Sequence, residues 1–332
     1  MTITFRDRLA KRASQTSRHM IPAMIFGLAL MAALQIARAK DALLSELQKS
    51  QATEAISIIW NDGGSAGVFL FGDGKLHETR ILPSAVVGRD VSLTSDGEQV
   101  AFGLFEHPSD PHQPALLAVA SSDGSNLRKF PTMQQPMMIC WSPRKDRLVL
   151  WASNTDSGNG SKASGLWTLR LDTGESTLID AHGSAYCPSW SPDGVKLAYS
   201  VKGAISIYDT DAKNSRRLAD GDYATWSPDG KWIATSKGND YWLLDPQSAA
   251  GKVLFTQKNA FTPLWWSPDS QYVAYATHVG LSLKVVEQVD LRVRRVHDGA
   301  DVRLQRSAWK TGVPDVQWVR SSPLLARARS GG

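Results

Sequence analysis

The sequence predicts an all-β protein, a six-bladed β-propeller of four-stranded blades, on three observations. A Trp-Ser-Pro-Asp frame recurs along most of the chain, as Ser189-Trp190-Ser191-Pro192-Asp193-Gly194, Thr225-Trp226-Ser227-Pro228-Asp229-Gly230 and Trp265-Trp266-Ser267-Pro268-Asp269-Ser270. Apolar residues two apart follow each copy, which is the period of a strand. The copies are spaced roughly forty to fifty residues apart, the interval of propeller blades rather than of shorter solenoid repeats.

Each copy reads as a short strand ending on a bulky residue, a turn, and a second strand. Proline presets φ for the second position of a type I turn, and glycine accepts the left-handed conformation that closes it. Beyond the turn, Leu197/Tyr199, Ile233/Thr235, Val273/Tyr275 and Val100/Phe102 flank Ala198, Ala234, Ala274 and Ala101. The alanines mark a face approached closely by a neighbouring sheet. Worn copies stand at Cys140-Trp141-Ser142-Pro143, at Ser92-Leu93-Thr94-Ser95-Asp96-Gly97, where Leu93 takes the tryptophan position, and at Gln317-Trp318-Val319. A further apolar run and then a more polar one follow each copy, as in Ile205–Asp209 and Ser215–Leu218. That makes four strands per unit, inner to outer.

In order, residues 56–82 hold three strand-like runs and lack an inner strand, which is expected from Val316–Val319 at the other end of the chain. Such a blade latches the ring and hides an edge. Blade two is expected over 90–130, three over 137–179, four over 185–219, five over 223–255 and six over 261–296. Residues 40–55 form a linker or short helix with Leu43, Leu44 and Leu47 on one side, and residues 321–332 a disordered tail.

These frames resemble the WD40-like, or PD40, repeats of TolB-type six-bladed propellers, over about residues 56–320. The resemblance implies a stand-alone propeller of that superfamily. It does not reach the α/β domain of that family, because only Lys40 to Ala55 separates the leader from the first strand.

Net charge is +5, from 37 basic and 32 acidic residues. Residues 1–39 carry Arg6, Arg8, Lys11, Arg12, Arg18 and Arg38 against Asp7, so the remainder is balanced and no phosphate-binding surface is expected. The basic opening precedes an apolar run, Met20–Ile36, and then Ala37-Arg38-Ala39, with small residues where a signal peptidase reads. Cleavage after Ala39 would give a periplasmic or secreted protein; retention would leave a single-pass inner-membrane anchor, the only membrane contact expected.

Three connections stand out as long, 103–115, 153–165 and 297–314, and they place a lopsided binding face over blades six, one, two and three. The first carries Glu106, His107, Asp110 and His112, capable of metal binding yet matching no ligand spacing, so they read as a solvated loop with incidental histidines. The second carries Asn154 and Asp156 in a run that resembles the start of a calcium loop, but Gly165 stands where the closing glutamate belongs. The third carries Arg303. Tyr186, Tyr223 and Phe261, just ahead of inner strands, are placed at the channel mouth, while the repeated tryptophans are placed between blades as packing. His278 is the remaining histidine that could converge on a site.

No phosphate loop, dinucleotide fingerprint or nucleophile elbow occurs, and no cofactor is implied. Cys140 and Cys187 share a parity along adjacent inner strands, so two buried thiols are expected rather than a disulfide. Many peptidases carry a propeller of this repeat type before a hydrolase domain, and no such domain follows here. A binding scaffold with a protein or cell-envelope partner is therefore the expected function; the alternative is a small lyase- or lactonase-like enzyme with a metal or polar site at the channel mouth.

Overall fold

A computed structural model describes Leu43 and residues 45–47, 55–59, 65–70, 75–80, 88–106, 114–154, 163–181, 186–258, 262–279, 288–308 and 315–319. The leader and the tail lie outside these residues. Leu43 and residues 45–47 are helical, and Leu43 and Leu47, one turn apart, are fully buried. The residues up to Glu46 and those from Leu47 onward form separate compact units.

Every strand pair described in the second unit is antiparallel. Sheet I contains β1 (Ala55–Ile59), β2 (Ser65–Leu70), β3 (Lys75–Arg80) and the last strand of the chain, β23 (Asp315–Val319), in the order β23-β1-β2-β3. Ser57 stands opposite Val68 on one side and Gln317 on the other, so the inner strand missing from the N-terminal run comes from the C-terminal end. Sheet II runs β4 (Gly88–Leu93), β5 (Gln99–Leu104), β6 (Leu116–Ser121), β7 (Arg128–Trp141), β8 (Arg147–Asn154), β9 (Ala163–Arg170) and β10 (Ser176–Asp180). Sheet III holds β11 (Tyr186–Trp190), β12 (Lys196–Val201), β13 (Ala204–Asp209) and β14 (Asn214–Asp220). Sheet IV holds β15 (Asp222–Trp226), β16 (Ile233–Lys237), β17 (Asp240–Leu244) and β18 (Gly251–Thr256). Sheet V holds β19 (Trp265–Trp266), β20 (Tyr272–Val279), β21 (Gln288–Arg295) and β22 (Asp301–Ala308).

Two boundaries differ from expectation. The units expected over 90–130 and 137–179 share one sheet, because β7 pairs with β6 through its first half and with β8 through its second. Gln134 stands opposite Leu116 on one side and Ser153 on the other, so the backbone never leaves the ladder between them. The unit expected to end at Val296 continues through β22, which occupies eight residues of the span 297–314 expected as a loop. Arg303 therefore sits on an outer strand. Val302 and Leu304 alternate there with arginine and glutamine, a pattern that a half-solvated outer strand shares with a polar loop.

The recurring turn is built the same way five times. In the best-kept copy the Gly194 N–H donates to the Ser191 carbonyl (2.8 Å) and the Ser191 N–H to the Lys196 carbonyl (2.8 Å), and the same pair of bonds recurs at Thr94, Ser142, Ser227 and Ser267. Left-handed φ falls on Gly97, Gly194 and Gly230 (69°, 70° and 74°), and on Lys145 and Ser270 in the two copies without glycine. The hydroxyls do what proline and glycine alone cannot. Those of Ser191, Ser227, Ser267 and Thr94 each donate to the aspartate two residues on, at 2.6 Å. The same oxygens accept the N–H of Lys196 (2.8 Å), Trp232 (3.0 Å), Tyr272 (2.9 Å) and Gln99 (3.0 Å). Ser142 uses Asp146 instead (2.7 Å). The hydrogen bond from Ser191 holds Asp193 below the ordinary carboxylate pKa of 3.8. At Asp229 desolvation pushes upward, and the bonds from Ser227 and Lys231 outweigh it.

The repeated tryptophans join successive repeats. Each indole donates to the carbonyl just ahead of the equivalent position in the preceding repeat: Trp141 to Ser92 (3.1 Å), Trp190 to Cys140 (3.4 Å), Trp266 to Thr225 (3.3 Å) and Trp318 to Trp265 (2.8 Å). Apolar clusters back these rungs, such as Val149, Leu166, Trp190, Leu197 and Tyr199 between sheets II and III. Ala101, Ala198, Ala234 and Ala274 are essentially solvent-free, as a closely approached face requires. Trp226 breaks the series. Its backbone N–H is held by the Ser189 hydroxyl (3.0 Å), and its buried indole N–H finds no acceptor among the described residues. Trp242 on the same face of sheet IV is likewise unpartnered, and both pack on the cluster of Ala198, Ile205, Ile207 and Leu218.

Two outcomes are expected. Replacing Trp141, Trp190, Trp266 or Trp318 by Phe loses a hydrogen bond and strands a carbonyl, so each costs about 1–2 kcal/mol more than Trp226→Phe, measured by urea denaturation. Because Asp193 and Asp229 have lowered folded-state pKa values, their contribution is complete above pH 3.8 and withdrawn as the pH falls through those values. A Ser191→Ala/Ser227→Ala variant therefore shows a shallower loss of stability on acidification than the wild type, read from urea midpoints between pH 5 and about pH 2.

Candidate binding face

In an antiparallel meander the second-to-third connection and the start of the first strand share one end. At this end the sheets differ. Sheet III closes there with the two-residue hairpin Lys202-Gly203, both left-handed (51° and 74°), and sheet IV with Gly238-Asn239. The same connections span residues 105–115 and 155–162 in sheet II and 280–287 in sheet V. The last of these was not expected as a long connection, since the sequence directed attention to 297–314.

The first strands bulge at this end. Their register shifts between Arg89 and Ser92, Met137 and Cys140, Tyr186 and Ser189, and Asp222 and Thr225. Asp90, Met138 and Tyr223 are left-handed (49°, 50° and 57°), each three residues ahead of Leu93, Trp141 or Trp226. Such φ values are uncommon outside glycine, and three at one repeat position require local compensation. At Tyr223 hydroxyls supply it. The Asp222 carbonyl accepts from Thr235 (2.9 Å) and Ser236 (3.2 Å), and the Tyr223 N–H donates to the Ser200 hydroxyl (3.3 Å). In sheet V the Thr262 hydroxyl accepts the Ala276 N–H (3.0 Å), while its carbonyl accepts the Tyr241 hydroxyl (2.8 Å), whose pKa burial raises. Gly221, the whole link between sheets III and IV, has φ +153°, and a Cβ there would lie 2.4 Å from Thr235 Oγ1.

The expected site residues separate on this frame. Glu106 is exposed at the end of β5 and its carboxylate pairs with Lys129 Nζ at 2.6 Å. Asn154 is buried at the end of β8 and donates to Ser176 Oγ (2.8 Å), which makes it a support for the adjoining connection. Tyr223 is half-buried at the bulge. Arg303 lies on β22, 3.8 Å from Asp290 Oδ2. Tyr186 and His278 are on β11 and β20 with side chains outside the described part, and His107, Asp110, His112, Asp156 and Phe261 lie outside it altogether. Among the described residues no three His, Cys, Asp or Glu side chains are placed to hold a metal. Cys140 is half-buried; the side chain of Cys187 lies outside the described part. Sequence reasoning passed over Asp90, Asp222 and the pair Met137 and Met138, of which Met137 is 42% exposed. The available clue was position relative to the repeated tryptophan, which had singled out Tyr223.

No protein-family profile matches the chain. TolB from Acinetobacter baumannii superposes with a TM-score of 0.58 at 19% identity, over 81% of this chain and 67% of that one. A TolB-type structure from Agrobacterium tumefaciens gives 0.54 at 16% identity, over 82% and 93%. The fold is that of the TolB β-propellers. Dipeptidyl peptidase 4 of Felis catus is 28% identical over 99 residues, 30% of this chain, and the match spans 11% of that protein. Among the described residues no helix is long and apolar enough to cross a membrane.

Gly221→Ala is expected to destabilise by about 2 kcal/mol or more, from positive φ and the collision with Thr235. Adding Thr235→Ala removes the collision and returns part of that loss, a coupling that a double-mutant cycle in urea reads directly.

Proposed function

We propose that the protein is an exported, non-catalytic binding scaffold that presents its loop-bearing end to a protein or cell-envelope partner. In this reading sheet II counts as two blades, six blades close into a ring through sheet I, and residues 56–320 form the propeller. Residues 1–39 act as a signal peptide or anchor, 40–55 as a linker and 321–332 as a tail. The location is periplasmic or secreted.

The observation that carries the reading is the asymmetry of one end. Tight hairpins on sheets III and IV stand beside long connections on sheets II and V, over first strands held in strained, hydroxyl-braced bulges. Connections beyond minimal length on a rigid scaffold concentrate binding function. The TolB likeness agrees with a propeller fold beneath that end.

The test uses the exported protein, with residues 105–115 intact or replaced by a two-residue Asn-Gly turn, in pull-downs from envelope extract together with metal analysis. A specific envelope partner retained only by the intact form, with no stoichiometric metal, is the expected result. A stoichiometric metal lost with the connection overturns the scaffold reading in favour of a metal-dependent enzyme at the channel mouth.

A further inference from the structure

Between sheets IV and V, beside the apolar cluster of Phe255, Trp266, Val273 and Tyr275, lie charged side chains of β21 and β22. The register sets Arg294 opposite Asp301, Arg292 opposite Arg303 and Asp290 opposite Arg306. Asp301 is fully engaged. It accepts the Tyr275 hydroxyl (2.5 Å), Arg292 Nε (2.8 Å) and Arg292 Nη2. Arg294 reaches the same carboxylate only at 3.7 Å, and its buried Nε has no partner among the described residues. Its guanidinium lies over the Phe255 ring of β18, 4.7 Å from the centroid. On the facing rim Lys252 Nζ sits 4.7 Å from the Trp232 centroid. Asp298 is occupied by Arg295 through two bonds (3.0 and 2.7 Å) and offers Arg294 nothing. The groove thus sets Lys252, Arg292, Arg294 and Arg303 against Asp290 and Asp301, a surplus of positive charge.

β22 is also the outer edge of its sheet, with no strand beyond it among the described residues. It is eight residues long, against six, five, seven and six for β3, β10, β14 and β18. Natural edges are kept short or charged because their free backbone groups template pairing. A guarding role accounts for Arg303, 51% exposed. It does not account for Arg294, stacked, largely buried and short of an acceptor.

We propose that the β22 edge binds an acidic extended peptide, which adds to sheet V as a further strand and places carboxylates on Arg303 and Arg294. Strand addition supplies affinity through the backbone, and side chains at alternate positions supply selection, here by charge-assisted bonds to guanidinium groups. This surface is separate from the loop-bearing end, so it stands or falls independently of the function proposed above.

The experiment is fluorescence anisotropy on the mature protein with labelled eight-residue peptides alternating Thr with Glu or Thr with Lys, at low and moderate salt. The Glu peptide is expected to bind, more weakly as salt rises, and the Lys peptide not to bind. Arg303→Glu and Arg294→Met each weaken it about tenfold, equivalent to about 1.4 kcal/mol. Alternate N-methylation of the Glu peptide abolishes binding. Arg303→Glu is the safe variant for folding, because that side chain is exposed. Equal binding of both peptides, no binding of the Glu peptide, or affinity unchanged in Arg303→Glu overturns the proposal. So does an N-methylated peptide that still binds, or a polyuronate that binds as tightly with the same arginine dependence.

Discussion

The structure depends on one hydroxyl per repeat. At Ser191, Ser227, Ser267 and Thr94 that oxygen donates to an aspartate and receives a backbone N–H from the returning strand, so the first-to-second strand register is fixed at the turn. A slip of one residue would turn every side chain of the second strand to the opposite face. Fixing the register places the bulky residue at the end of the first strand, from which its indole can reach the preceding sheet. The local lock and the rung between sheets are thus two consequences of one short sequence frame.

The rungs also show where cohesion is uneven. Four indoles find carbonyls, whereas Trp226 is held by its backbone to Ser189 and leaves its own N–H unmatched. Repeats 190 and 226 are the most closely spaced pair, and a single glycine links their sheets. Tyr223 beside that link is left-handed, as Met138 is ahead of Trp141, yet Trp141 reaches its acceptor and Trp226 does not. Here the bulge at the loop-bearing end and the broken rung at the turn end lie on the same five-residue strand.

Much of the fold was legible because its determinants are local and repeated. Ser-Pro-Asp-Gly announces a turn, alternation announces a strand, and a missing inner strand near Ile56 points to a donor such as Val316–Val319. What was hidden has physical reasons. β22 reads as loop because only one face of an outer strand is apolar. β7 reads as two strands because Pro131 and Pro136 interrupt its pattern; each falls at a register shift, and pairing resumes beyond it. The bulges leave no compositional mark, since Asp90, Met138 and Tyr223 share a position and no chemistry. Of the expected site residues, Asn154 is revealed as a buried brace and Arg303 as part of a strand edge, distinctions that depend on neighbours remote in sequence.

The pairing of β23 with β1 has a temporal side. Ile58 and Val316 stand opposite each other although nearly the whole chain lies between them, and closing so long a loop carries an entropic cost that grows only slowly with length. Sheet I therefore cannot be completed while the chain is still being made. Its first three strands must wait, with one edge open, until residues 315–319 have been made.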